Sequence, residues 1–188
     1  PAGVGLPSGP NLARAAAAGQ PTASVVAMTD TTIAEEMQQL FIAPTLRVYT
    51  NPDVVGCEMA GALKNVLAIG AGIADGLGYG DNTKAALMTR GLAELARLGA
   101  TMGGDPLTFA GLAGMGDLIA TCSSPQSRNR HVGVELGKAR ALDDIVNEMN
   151  MVAEGVKSTT AVLKLARRHG VEMPLASFVQ RVLYEGAR

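Results

Sequence analysis

The chain of 188 residues has few aromatic and few soft metal-binding side chains. It contains no tryptophan, three tyrosines and three phenylalanines, which disfavours a surface that stacks nucleic-acid bases. The formal net charge is −1, whereas proteins that bind nucleic acid or anionic membranes nonspecifically carry a basic excess. The two cysteines and two histidines are too few and too scattered for a disulfide framework or a zinc site. We therefore expect no nucleic-acid partner and no metal, and we expect Cys57 and Cys122 to be buried thiols in a reducing cytoplasm.

The sequence also lacks an uninterrupted apolar run of the ~20 residues that a membrane-spanning helix needs. Its most apolar stretch, residues 59–74, is interrupted by Lys64 and Asn65, so we expect no membrane span. No secretory leader is visible. Because Pro1 is not a natural start, we expect the chain to be an excerpt of a longer protein.

Small and aliphatic residues dominate what is present. Hydrophobic residues make up 47% and charged residues 18%, which excludes intrinsic disorder. The 23 glycines and an even larger number of alanines favour closely packed helices. Residues 1–52 have a βαβ-like pattern that predicts part of a parallel or mixed sheet, whereas every strong pattern in residues 53–188 is helical. The sequence therefore predicts a mainly α protein with a short α/β segment before an all-helical domain.

The periodicity and the turn residues predict the following elements. Strands are predicted at residues 22–28 and 46–49. Helices are predicted at residues 11–18, 31–41, 53–75, 82–102, 116–123, 128–138, 142–149, 156–169 and 175–186.

The predicted helix at residues 53–75 is apolar on one broad face and uncharged on the other, except for Lys64. A solvent-exposed face would carry several charges, so we expect this helix to be enclosed on both sides. Gly61 and Ala68, about one turn to either side, would clear a space around the Lys64 ammonium. Such an ammonium can act as a general acid–base or hold an anion, and a lysine that extends to the surface is the alternative. Asn65 suits the same cleft and a local hydrogen bond equally well.

Two further segments have features of ligand sites. Ser127 is suited to cap the next predicted helix, so that its free N–H groups and Arg128 would face one point and could hold phosphate. A capped helix with exposed arginines is the more common meaning of this pattern. Residues 8–10 (SGP) close a short segment with strand character, and open α/β sheets bind ligands at strand ends.

Three acidic residues have neighbours that suggest a role for each. Asp117 follows the glycine-rich segment GLAGMG, which matches neither a phosphate-binding loop nor a dinucleotide fingerprint. It could accept a hydrogen bond from a hydroxyl group or a lysine, or it could cap a helix. Glu154 could simply be a favourable charge at a helix N-terminus. Glu94 lies about one turn from Arg90 and from Arg97, a spacing that predicts a row of surface ion pairs.

Taken in order, these segments resemble the bacterial-type NAD(P)-dependent glycerol-3-phosphate dehydrogenases. Each motif alone is weak, but the ordered set covers nearly the whole chain at about the family's spacings. The resemblance implies the last part of a Rossmann domain at residues 1–52, followed at residues 53–188 by a helical substrate domain of the 6-phosphogluconate dehydrogenase C-terminal type. The motifs are SGP (8–10), GALKN (61–65), GLGYGDN (76–82), TRGLAEL (89–95), GLAGMGDL (111–118), SRNR (127–130) and VAEGVKS (152–158).

The resemblance also implies a function and a set of site residues. It implies an oxidoreductase of phospholipid-precursor metabolism, a homodimer that interconverts glycerol 3-phosphate and dihydroxyacetone phosphate with NADH or NADPH. Lys64 would be the catalytic proton donor and acceptor. Substrate would be bound by Gly9, Asn11, Lys64, Asp117, Ser127, Arg128 and Asn129, and the cofactor by Ala13, Arg128, Val152 and Glu154.

The chain departs from the family pattern at Asn11 and in the dinucleotide-binding region. Asn11 stands where the family commonly has serine or threonine, and no G-x-G-x-x-G motif occurs in the sequence. We therefore expect this chain alone to be inactive and not to hold a dinucleotide tightly. Two alternatives stay open: a helical module for dimerisation or phosphometabolite binding without catalysis, and a related dehydrogenase with another hydroxy substrate.

Overall fold

The computed structural model describes residues 5–149 and 153–187. A π-helical turn, Leu112–Gly116, joins two of its helices. The elements in chain order are β1 (Leu6–Ser8), α1 (Ala13–Ala17), β2 (Thr22–Ala27), α2 (Thr31–Phe41), β3 (Leu46–Asn51), α3 (Val54–Gly76), α4 (Asp81–Thr101), α5 (Pro106–Ala110), α6 (Asp117–Ser123), α7 (Arg128–Gly137), α8 (Leu142–Glu148), α9 (Glu154–Arg168) and α10 (Pro174–Tyr184).

The three strands form a mixed sheet in the order β1-β2-β3. β2 and β3 are parallel and are connected by α2, as the βαβ-like pattern predicts, and β1 runs antiparallel to β2. Asp30 begins α2 because its side chain accepts a hydrogen bond of 3.1 Å from the N–H of Ile33. Val25 and Ala27 of β2 pack against Cys57 of α3, so the sheet rests on the first turns of the long helix.

The helical part is built around α3, which contacts α4, α5, α6, α7, α9 and α10. Asp53 caps this helix by accepting a 2.8 Å hydrogen bond from the N–H of Gly56. Side chains on both faces of α3 are buried, which confirms the predicted enclosure. Within the described residues, α3 is also the one helix long and apolar enough to cross a membrane, by length and composition only. Its packing against six other helices is that of a core helix.

Glycines allow α3 and α7 to pack backbone to backbone. A Cβ atom on Gly72 of α3 would lie 2.1 Å from the carbonyl oxygen of Arg130. A Cβ atom on Gly133 of α7 would lie 2.0 Å from the carbonyl oxygen of Ile69. Both distances are far below van der Waals contact, so the helices can approach this closely only without side chains at these positions. The predicted close packing of small residues is therefore confirmed at this crossing.

Glu94 is buried, so the predicted row of surface ion pairs is wrong at this residue. Its side-chain oxygens accept hydrogen bonds from the N–H groups of Leu175 (2.8 Å) and Ala176 (3.3 Å). These groups belong to the first turn of α10, which has no side-chain cap of its own. Burial raises the pKa of the Glu94 carboxyl, and the two backbone hydrogen bonds act in the opposite direction. The carboxylate thus joins α4 to α10.

Candidate functional site

A cleft of about 320 Å³ lies where β1, α3, α6 and α9 meet. Four residues that the sequence assigned to the site line it together: Asn11, Lys64, Asp117 and Glu154. The remaining lining residues are Leu6, Pro7, Ser8, Cys57, Glu58, Gly61, Ala62 and Asn65. The cleft therefore brings together four predicted site residues that are up to 143 positions apart in the sequence, from Asn11 to Glu154.

An ion pair between the Lys64 ammonium and the Asp117 carboxylate lies in this cleft. The side chains are 21% and 8% exposed, so the pair is largely enclosed but still accessible. The Thr121 hydroxyl donates a 3.2 Å hydrogen bond to the second oxygen of Asp117, and the backbone N–H of Gly9 also donates to this carboxylate. Burial raises the pKa of the Asp117 carboxyl, which the Lys64 charge and the hydrogen bonds partly offset. The arrangement fixes one cation in the cleft.

The π-helical turn Leu112–Gly116 positions Asp117 as the first residue of α6. A Cβ atom on Gly114 would lie 2.1 Å from the carbonyl oxygen of Phe109, so the turn folds directly onto the backbone of α5. Gly116 occupies the N-cap position, and the sequence alternative that Asp117 caps this helix is wrong. The alternative that Asp117 accepts a hydrogen bond from a lysine is confirmed.

The segment after β1 forms the opposite wall of the cleft. The Asn11 amide nitrogen donates a 2.9 Å hydrogen bond to the Ser24 hydroxyl, which in turn donates a 2.9 Å bond to the carbonyl oxygen of Ser8. Gly9 has a φ of 108°, a conformation that L side chains rarely adopt. The glycine lets the chain turn so that its N–H can reach Asp117. The side chain of Asn11 is therefore held in a defined orientation at the edge of the cleft.

Asn129 connects three helices beside the cleft. Its amide nitrogen donates to the side-chain oxygen of Asn65 over 3.0 Å, and its own oxygen accepts from the N–H of Gly155 over 2.8 Å. Asn65 follows Lys64 in α3, and Gly155 follows Glu154 in α9. The Asn129 amide therefore fixes the first turn of α9 next to the lysine-bearing part of α3.

Gly9 and Asn129 lie beside the cleft without lining it, and three other predicted site residues do not line it either. Ser127 caps α7, as predicted, by accepting a 3.2 Å hydrogen bond from the N–H of Arg130, and it is buried. Arg128 is the first residue of α7 and is exposed, and Ala13 is exposed at the start of α1. Val152 lies outside the described residues.

Sequence reasoning missed several residues of this site. Thr121 could have been found, because it lies four residues after Asp117 and therefore on the same face of α6. No local signal marks Ser24, whose contact with Asn11 depends on the sheet. Cys57 lines the cleft, and burial raises the pKa of its thiol to about 11, which keeps it protonated.

Throughout residues 5–149 and 153–187, no group of three or more His, Cys, Asp or Glu side chains is placed to hold a metal ion.

Residues 53–188 match the family model described as the C-terminus of NAD-dependent glycerol-3-phosphate dehydrogenase. This match and the fold define a mainly helical domain of the NAD-linked dehydrogenase class, preceded here by a small mixed sheet. The chain belongs to the glycerol-3-phosphate dehydrogenase family.

Individual relatives agree with this assignment. The chain is 63% identical over 173 residues to a glycerol-3-phosphate dehydrogenase [NAD(P)+] of Sphingopyxis alaskensis, covering 92% of this chain and 52% of that protein. It is 55% identical over 179 residues to the enzyme of the same name in Pelotomaculum thermopropionicum, covering 95% of this chain and 51% of that protein. A crystal structure of glycerol-3-phosphate dehydrogenase from Coxiella burnetii superposes with a TM-score of 0.94 at 41% identity, covering 98% of this chain and 57% of that one. The chain thus spans about half the length of the curated relatives it matches.

Proposed function

We propose that the protein containing this chain interconverts sn-glycerol 3-phosphate and dihydroxyacetone phosphate, with NADH or NADPH as the hydride carrier. The observation that carries this proposal is the Lys64 ammonium, held by Asp117 in a cleft small enough for a triose. The relatives are named for the same activity, and their names include both NAD and NADP.

In this proposal Lys64 handles the proton of the reacting oxygen. When bound, the reduced nicotinamide supplies a hydride to the ketone carbon, and the carbonyl oxygen gains negative charge as the C=O π bond opens. The ammonium stabilises this charge and donates its proton, which produces the hydroxyl of glycerol 3-phosphate. In the opposite direction the neutral amine accepts the hydroxyl proton. Asp117 holds the amine at the reacting oxygen in both directions.

The remaining polar residues are assigned by the family resemblance and by their place in or beside the cleft. Gly9 and Asn11 at the edge of the cleft would contact the substrate hydroxyl groups together with Asp117. The phosphate would lie at the N-terminus of α7, where Ser127, Arg128 and Asn129 begin the helix. Free N–H groups and a guanidinium bind phosphate well in such a place. Asn129 would use the amide hydrogen that is left after its bond to Asn65.

The cleft fits the reacting end of a nicotinamide cofactor rather than a whole dinucleotide, because its volume is only about 320 Å³. Glu154 lines the cleft and would contact that end. Ala13, Arg128 and Val152 would hold other parts of the cofactor. Most of the dinucleotide would then be bound outside the residues that form this cleft.

We also propose the division of the chain into a part of the Rossmann domain at residues 1–52 and a substrate domain at residues 53–188. Two observations support it: the family match begins at residue 53, and Asp53 caps the first helix of the helical part. In the whole protein we expect a cytoplasmic homodimer, since the family resemblance implies one.

The test is the oxidation of NADH and of NADPH by the full-length protein when dihydroxyacetone phosphate is added. We expect turnover with dihydroxyacetone phosphate and a much lower rate with dihydroxyacetone, which lacks the phosphate. Equal rates with both ketones would favour the related dehydrogenase with another hydroxy substrate. Calorimetric binding of glycerol 3-phosphate without any turnover would favour the non-catalytic module.

A further inference from the structure

Gly61 faces the cleft from α3, one turn before Lys64. A Cβ atom added at this position would meet nothing within 4 Å. The space that a side chain would occupy is therefore open, and it belongs to the cleft itself.

The other glycines of α3 all have a reason in packing. A Cβ atom would lie 2.0 Å from the Asp53 carboxylate at Gly56, 3.3 Å from a methyl group at Gly70, and 2.1 and 2.2 Å from backbone oxygens at Gly72 and Gly76. Glycine inside a helix is less stable than alanine, because it loses more conformational freedom on folding. Gly61 carries this cost without any neighbour that requires it.

Along α3, the open space next to Lys64 lies on the Gly61 side. Ala68, which the sequence assigned to the same role as Gly61, is fully buried in the helical core and does not line the cleft. The expectation for Ala68 is therefore wrong, and the expectation for Gly61 stands. A ligand that lies along α3 beside the ammonium therefore lies next to Gly61.

We propose that Gly61 sets the size limit of the cleft, because the carbon skeleton of the substrate lies directly against its Cα atom when the reacting oxygen meets the Lys64 ammonium. This inference rests on the proposed function and makes it more specific. The glycine selects a small ketone or alcohol without a branch near the reacting carbon. Any side chain at this position occupies the room that the substrate needs.

The first test replaces Gly61 with alanine and with valine in the full-length enzyme. We expect kcat/KM for dihydroxyacetone phosphate to fall about 10-fold for Gly61→Ala and at least about 100-fold for Gly61→Val, since each added methyl group takes space from the substrate. KM for the nicotinamide cofactor should stay the same. The Tm of Gly61→Ala should rise by about 2–4 °C, because alanine favours the helix and meets no neighbour.

Gly80→Ala is the matched control. Gly80 also has nothing within 4 Å of an added Cβ atom and has a negative φ of −85°, but it lies beyond the far end of α3. We expect kcat/KM to be unchanged in this variant. A loss of activity together with a higher Tm in Gly61→Ala is a result that a purely structural glycine would not give.

A second readout does not depend on turnover. Lys64 and Lys84 are similarly exposed, at 21% and 19%, and each is paired with an aspartate. Peptide mass spectrometry can follow their acylation by acetic anhydride and by a bulky aromatic anhydride. We expect Gly61→Val to slow the bulky reagent at Lys64 and to leave Lys84 unchanged.

The outcomes separate the two proposals. Slower acylation of Lys64 in an enzyme that does not turn over dihydroxyacetone phosphate would support the size limit and refute the proposed function. Unchanged kcat/KM and unchanged acylation in Gly61→Val would overturn the size limit. A lower Tm in Gly61→Ala, or an increase only in the cofactor KM, would overturn it as well.

Discussion

Replacing Asn129 with alanine should destabilise the protein, because this amide joins α3, α7 and α9. The variant leaves the buried N–H of Gly155 without its acceptor, which costs about 1–3 kcal/mol, and the Asn65 oxygen loses its donor, which costs about 1 kcal/mol. We therefore expect a loss of about 2–4 kcal/mol in the free energy of unfolding. This corresponds to a decrease in Tm of about 5–15 °C.

Urea denaturation followed by circular dichroism measures this loss. Asn129→Asp is the matched variant, since its carboxylate can still accept from Gly155 while the Asn65 amide rotates to donate to it. We expect it to recover most of the lost stability. The double variant Asn65→Ala/Asn129→Ala should lose about 1 kcal/mol less stability than the sum of the losses in the two single variants. The reason is that the two side chains share one hydrogen bond, which each single substitution already removes.

Three results would refute the reasoning. The first is a loss below about 1 kcal/mol in Asn129→Ala, since that value would mean that no buried group depends on the amide. The second is equal stability of the alanine and aspartate variants. The third is strict additivity of the two alanine substitutions, which would show that Asn65 and Asn129 do not interact.

Further substitutions test the packing, the buried carboxylate and the phosphate site. Gly133→Ala should cost more than about 3 kcal/mol, because its Cβ atom would lie 2.0 Å from the carbonyl oxygen of Ile69. By the same urea measurement Gly80→Ala should cost no more than about 1 kcal/mol, which is the loss of a glycine N-cap on α4 without any steric clash. Burial raises the pKa of the Glu94 carboxyl above its ordinary value of 4.5. The folded protein therefore holds this proton to a higher pH than the unfolded chain does, so the protein loses stability as the pH rises from 4.5 through the raised pKa. Urea unfolding across this window should show wild type losing stability relative to Glu94→Gln, and a constant difference would contradict the assignment. Arg128→Ala should raise KM for dihydroxyacetone phosphate in steady-state kinetics, and unchanged KM values for substrate and cofactor would exclude an anion site there.

The helices were predictable because their patterns are local. The predicted range of α2 is the observed one, and α3 begins and ends within one residue of its prediction. The absence of charge on the second face of α3 was enough to predict that the helix is enclosed. The Ser127 cap was also predictable, since a cap bonds only to its own helix.

Short elements and long-range contacts could not be predicted in this way. α5 and the π-helical turn after it are five residues each, too short for a periodic pattern, and they depend on the fit of Gly114 against Phe109. Glu94 has the spacing of a surface ion pair, and only the arrival of α10, more than 80 residues later, buries it.

The candidate site was predictable in its residue types and not in its pairing. Lys64 was identified from the pattern of one helix, and Asp117 from a resemblance and a glycine-rich loop. That the two form an ion pair follows from the way the π-helical turn is placed against α3, and no sequence spacing encodes it. The bonds of Asn11 to Ser24 and of Asn129 to Gly155 are likewise tertiary.

The most direct test of the central claim is the turnover of Lys64→Met in the full-length enzyme, because methionine keeps the length of the four-atom stem and removes the ammonium. A general acid at the reacting oxygen contributes roughly 10²–10⁴-fold, so we expect kcat with dihydroxyacetone phosphate and reduced cofactor to fall by that factor. The circular dichroism spectrum should be unchanged. A kcat within about threefold of wild type would contradict the claim that Lys64 transfers the proton, since a change that small lies well below the contribution of a general acid.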